Sequence, residues 1–191
     1  DSITEWPNIN LDYSLVTVFG EYLVDRFGPN MLNETLHYGS FGIASLNEYL
    51  ILRGTNLGQV FIDWMTASYL NDKSVDPKYG YSRSELAKIK VRPQSSVSFS
   101  DNFTEYITPV TVKDWQPYWA EYDLRYLSDA SRSLRIEMIG QPGQNFLMSY
   151  ITYYSNGQIE VKKFNLANNR GIAFALNSPS RKIDRVAILV T

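Results

Sequence analysis

His37 is the single imidazole in this sequence of 191 residues, and no cysteine accompanies it. A hydrolytic zinc site draws three or four ligands from His, Cys and carboxylates at fixed spacing, and neither H-E-x-x-H nor a cysteine pair occurs. His37 therefore reads as a packed or solvated side chain near the end of a short helix. Nucleophile signatures are missing as well, for the chain contains no G-x-S-x-G and no S-x-x-K. Carboxylate pairs leave glycoside hydrolysis as a further chemistry, with Glu121 and Asp123 or Asp72 and Asp76 as the pairs. Glu121 and Asp123 alternate along one expected strand and share a face, which reads as its solvated side. Asn71, Asp72 and Asp76 lack the spacing of a calcium loop.

The run "DWQPYWAEYDLRYL" carries Trp115, Tyr118, Trp119, Tyr122 and Tyr126. Exposed rings on a sheet can stack on sugars, which makes Trp115 and Trp119 candidate ligand-binding residues. Alternation places Tyr118, Ala120, Tyr122, Leu124 and Tyr126 on one side as a core face and Trp119 on the other, so packing is the reading the pattern favours.

The elements that must position these residues fall into two halves. Asp12 is a plausible cap for "YSLVTVFGEYLVDRFG", in which Leu15, Val18, Phe19 and Tyr22 share a helical face. Gly28 and Pro29 stop that helix and open a second over "NMLNETLHYG". Ser45 with Glu48 spells a capping box for a third, closed by Gly54, and a fourth runs from near Asn56 to about Leu70. From about Ser95 the pattern becomes short β-rich runs, starting with "TEYITPVTV" and ending with "DRVAILVT", and Asn156-Gly157 predicts a hairpin of the type I′ kind. The expected fold class is α+β in two domains: a small helical domain over 1–92 and an antiparallel, jelly-roll-like β-sandwich over 93–191, joined near Arg92-Pro93.

Composition narrows the partners. Hydrophobic residues make up 44% and charged ones 20%, which fits a folded chain, and the 14% aromatic share favours ring packing or contact surfaces. The net charge is -2, with 8 basic and 11 acidic residues in the first 95 positions and no basic run, so nucleic acid is not an expected partner. No stretch approaches the roughly 20 apolar residues of a membrane span. The sequons Asn33-Glu34-Thr35 and Asn102-Phe103-Thr104 matter only on a eukaryotic secretory route.

The order of motifs resembles the C-terminal part of secreted gluzincin-type zinc metallopeptidases, the hyicolysin-like and related peptidase MA families. The resemblance rests on Tyr13, Phe19, Tyr22, Leu23, Phe27 and Gly28, then on "V-F-x-D-W-x-x-A-x-Y-L-x-D" from Val60 to Asp72, and on "YGY" from Tyr79 to Tyr81. It spans most of the chain, and its motifs are packing patterns. It implies an extracellular or cell-envelope protein and an upstream catalytic half that supplies H-E-x-x-H, a glutamate ligand, zinc and the peptide-cleaving chemistry. This chain would then be the non-catalytic C-terminal fragment, with Trp64 as scaffold and Tyr13 placed to hydrogen-bond an oxyanion at the cleft. The alternative expectation is a carbohydrate- or protein-binding module without enzymatic activity.

Overall fold

The computed structural model describes residues 2–5, 10–102, 105–128 and 132–191. The chain is α+β, with helices first and strands after, and it divides into two compact units, 1–91 and 92–191.

In the first unit, α1 (Asn10–Phe27) begins two residues ahead of Asp12, whose side chain lies outside the described residues. It ends as the sequence predicts: Gly28 adopts a φ of 82° and donates its N–H to the Val24 carbonyl at 2.8 Å. Only glycine takes that left-handed conformation without a Cβ penalty. Pro29 then precedes α2 (Asn30–Thr35). The capping box expected at Ser45 is not formed. Helix α3 (Ile43–Ile51) starts earlier, from Gly42, and the buried Ser45 hydroxyl donates instead to the carbonyl of Thr35, the last residue of α2. A hydroxyl serving a neighbouring segment is withdrawn from its own helix end. Helix α4 (Leu57–Leu70) is capped by Asn56, whose side chain accepts the Gln59 N–H at 2.9 Å.

Helix α4 forms the centre of this unit, with every residue from Val60 to Leu70 buried. The Phe19 ring of α1 meets Phe61 at 5.6 Å and Trp64 at 5.1 Å between centroids, and Tyr22 sets its edge on Tyr81 at 6.2 Å. Tilted and edge-to-face contacts of this kind contribute beyond the area they bury. The helix stops at Asn71, a residue that tolerates the left-handed region, here with φ 42°. Its amide donates to the carbonyls of Leu86 and Ile89, both at 2.8 Å, and accepts the Tyr81 N–H at 3.2 Å. One side chain thus ties the end of α4 to the segment that follows it, including the 3-10 turns at Pro77–Tyr79 and Ser84–Leu86.

The second unit contains β1 (Ser95–Ser98), β2 (Tyr118–Asp123), β3 (Leu134–Ile139), β4 (Met148–Tyr154), β5 (Ile159–Lys163), β6 (Arg170–Ala175) and β7 (Ile183–Val190). Five strands form one sheet in the order β1-β2-β7-β4-β5, and β3 pairs with β6 in a second. The larger sheet is mixed, not purely antiparallel, because β1 runs parallel to β2. That strand starts two residues after the expected joint at Arg92-Pro93. Conversely, "TEYITPVTV" makes no strand: residues 105–113 join no ladder, and Pro109 cannot donate to one. The hairpin β4-β5 forms, but only Gly157 has positive φ, at 84°, and its N–H closes the turn on the Tyr154 carbonyl at 2.9 Å. The geometry is therefore a turn followed by a left-handed glycine, not the two-residue type I′ loop.

A single core cluster draws from both sheets, with Ala120, Tyr122 and Leu124, Ile136 from β3, Tyr150 from β4, Ala175 from β6 and Val186 from β7. This is the face of β2 that alternation assigned inward, although Tyr126 lies past the strand's end and is exposed.

The Asn71 contacts generate a stability prediction. Asn71→Ala removes three hydrogen bonds and replaces a residue that tolerates the left-handed region by one that does not, so it should cost about 3 kcal/mol. Asn71→Gly keeps the backbone freedom and should cost about 1 kcal/mol less. Urea unfolding midpoints at unchanged m-value would measure both; equal losses would show that the backbone conformation contributes nothing.

Candidate functional site

The residues singled out by type do not gather into one centre. His37 is exposed and donates its Nδ1 proton to the Asn33 carbonyl four residues earlier, at 2.8 Å. Among the described residues, no three His, Asp or Glu side chains cluster as metal ligands. Tyr13 is 54% exposed on α1. It lies nine residues from Tyr22, roughly 13 Å along the helix axis. Phe103 and Thr104 of the second sequon lie outside the described residues, and in the first the Thr35 hydroxyl donates to the Leu32 carbonyl at 3.0 Å.

The carboxylate pairs are committed elsewhere. Glu121 pairs with Arg185 at 3.3 Å, while Asp123 takes a forked contact from Arg125, with Nη2 at 2.6 Å and Nε at 3.0 Å. Asp123 is buried, so the face it shares with Glu121 is not the freely solvated one expected. Asp72 accepts the Ser74 N–H and hydroxyl at 2.9 and 2.6 Å, and Asp76 accepts the Lys78 N–H at 3.0 Å. Both act as local turn caps, the ordinary use of Asp in such loops.

A second group of polar side chains was hidden from sequence reading because it combines distant segments. Asp63 of α4 is 4% exposed and lies 3.6 Å from both Arg26 Nη1 and Lys78 Nζ, with the Gln59 amide donating to it at 3.0 Å. Arg26 also donates to the Tyr22 hydroxyl at 2.7 Å, which donates onward to the Lys78 carbonyl at 3.1 Å. Beside this network is a cavity of about 390 Å³ bordered by Asp25, Arg26, Lys73, Asp76 and Lys78. Burial pushes the hydroxyls of Tyr22 and Tyr79 well above the ordinary phenol range, and that of Tyr81 to about 12. Phenols held neutral in this way donate hydrogen bonds and do not act as bases near neutrality. The network is a brace between α1, α4 and the Pro77–Tyr79 turn. The Asp in "V-F-x-D-W" was the available signal, since a charged residue in an otherwise apolar helix must find partners.

Trp115 and Trp119 separate. Trp119 is 4% exposed and cannot offer its ring face to a sugar, which corrects its assignment as a ligand-binding residue. Trp115 stays partly exposed and has a φ of 57°. For a bulky residue this conformation costs about 1–2 kcal/mol. The surrounding turn enforces it: Gln116 donates its N–H to the Lys113 carbonyl at 3.0 Å, and the Gln116 side chain accepts the Lys113 N–H at 2.9 Å.

Trp115 borders a groove of about 680 Å³ between the loops 110–115 and 141–147, which Thr191 also lines. Asn169, at φ 59°, organises the second loop. Its amide donates to the carbonyls of Gln141, at 3.1 Å, and Gln144, and its backbone carbonyl accepts the Gly140 N–H at 2.7 Å. Gly140 leaves room for Phe146, because a Cβ there would come within 2.7 Å of that ring. The dipeptides Asn168-Asn169 and Pro142-Gly143 were the sequence signals for these turns.

No family model, curated protein or solved structure matches this chain.

Two measurements test the electrostatics. Asp63→Ala strands Arg26 and Lys78 in a partly desolvated site and should lower stability by about 3 kcal/mol; a loss below 1 kcal/mol in urea titration would show the brace to be dispensable. Arg125 holds the Asp123 carboxyl below its ordinary range, and Lys162, with Arg181 and Tyr154, does so for Glu160. Depressed folded-state values mean that both groups stabilise the fold above about pH 4 and that this contribution disappears as pH falls through the folded values. Asp123→Asn should therefore be destabilising at pH 7 and nearly neutral at pH 2, read from melting temperatures at the two pH values.

Proposed function

We propose that this chain is the non-catalytic C-terminal part of a secreted gluzincin-type zinc peptidase, with a helical scaffold domain followed by an accessory jelly-roll-like β-sandwich. The carrying observation is the contrast between two sets of apolar side chains in the helical unit. The motif residues Phe19, Tyr22, Leu23, Val60, Phe61, Trp64 and Tyr81 are all buried. Around α2 and α3, by contrast, Leu36 is 81% and Phe41 91% exposed, and Leu32, Ile51 and Leu52 are exposed with them. A run of large apolar side chains left in water is the signature of a surface that another folded segment covers.

In this reading the catalytic half of the same protein covers that surface. Zinc is, in this reading, bound by that half, because this sequence has one histidine and no cysteine to offer it. Bound there, the metal would activate water and polarise the scissile carbonyl of a peptide substrate. The helices of this chain back the cleft. Tyr13, exposed on α1, is the one residue assigned a place at its edge, where its hydroxyl would donate to the oxyanion. The protein would act outside the cell or in its envelope, and no helix among the described residues is long and apolar enough to cross a membrane.

The test is expression of the reading frame that contains this segment, beside the 191-residue chain alone. The full product should hydrolyse casein in a chelator-sensitive manner, and Tyr13→Phe should lower its kcat without unfolding it. The reading fails if the natural frame encodes no H-E-x-x-H, or if the 191-residue chain itself binds stoichiometric zinc and cleaves peptides.

A further inference from the structure

We infer that the groove between the loops 110–115 and 141–147 is a binding subsite for a neutral glycan chain. Its volume of about 680 Å³ lies within the range of small-ligand clefts, about 300–1,000 Å³. Its walls combine two partly exposed rings, Trp115 and Phe146, with the exposed amides of Gln141, Gln144 and Asn145. A pyranose ring has the matching dual character, an apolar C–H face for aromatic contact and hydroxyls that both donate and accept. Each amide side chain also donates and accepts, so it pairs with a hydroxyl in either orientation. A purely apolar ligand would leave those amides without hydrogen bonds on desolvation.

The charges argue for neutrality. Lys113 and Asp114 are adjacent on the rim and offset each other, so a polyanion or polycation meets one opposing charge for each favourable one. Beside Thr191 an extended peptide finds no free ladder group, because Leu147 and Thr191 pair their N–H and carbonyl groups with each other at 2.9 and 3.0 Å.

The site is also held in shape. Asn169 fixes the backbone of the 141–147 loop, Gly140 seats Phe146, and the Lys113–Gln116 turn keeps Trp115 in a left-handed conformation that its side chain disfavours. Such conformations persist where surrounding structure over-determines them, and ligand clamps are among the places where they collect. Rigid walls reduce the ordering cost of binding. This assignment is independent of the peptidase reading, since it concerns residues of the second unit alone.

Affinity electrophoresis of the 191-residue chain in native gels containing hydroxyethylcellulose, galactomannan or laminarin tests it, followed by calorimetry with a hexasaccharide of the retarding polymer. Retardation is expected in at least one gel, and Trp115→Ala should weaken hexasaccharide binding about tenfold or more. Gln144→Ala and Asn145→Ala, which alter only exposed amides, should weaken it several-fold with an unchanged melting temperature, so the outcome does not depend on Trp115→Ala folding normally. Migration unaffected by all three polymers overturns the assignment. So does binding that survives Trp115→Ala, Gln144→Ala and Asn145→Ala alike, or saturable binding of an extended peptide library with none of the sugars.

Discussion

The constraint on which the helical unit depends is the burial of the Asp63 carboxylate in the middle of its most apolar helix. A lone ionised group there would oppose folding by several kcal/mol, so the chain must bring cations and donors to it. Arg26 arrives from α1, Lys78 from the turn after α4, and Gln59 from one helical turn earlier. Around that fixed point the rings of Phe19, Phe61 and Trp64 pack together, with no polar demand of their own except the indole N–H. The aromatic cluster gives adhesion, and the ion network gives register: α1 can satisfy Asp63 at one helical setting only.

The sheet unit solves its positioning problem differently. Its core is continuous across two sheets, and its groove lies between loops whose shapes are fixed by single side chains. Asn169 holds one loop and Gln116 the other. Both are amides that replace backbone partners where the chain leaves the ladder. Backbone groups that leave the sheet must still be satisfied, and a short amide is the cheapest local means of doing it.

Much of this was legible from the sequence. Helix α4, its Asn56 cap, the glycine stop at Gly28 and the inward face of β2 follow from spacing and capping chemistry, which are local. What was missed is non-local. The Ser45 hydroxyl belongs to Thr35 and not to its own helix, the parallel partner of β1 lies more than twenty residues downstream, and Trp119 alternates outward on its strand yet is buried. Each depends on a neighbour that arrives from elsewhere in the chain. Trp115 shows the same limit: nothing in its sequence context requires a left-handed backbone, and the Lys113 to Gln116 hydrogen bonds impose it.

The placement of β7 has a consequence for how the second unit comes into being. Strand β7, made after both of its neighbours, lies between β2 and β4, which do not pair with each other, and it holds a ladder to each. Until it arrives, the earlier strands can form only separate fragments, a β1-β2 pair, a β3-β6 pair and a β4-β5 hairpin, each with an open edge. Assembly of the five-stranded sheet therefore waits for β7, which acts as its keystone.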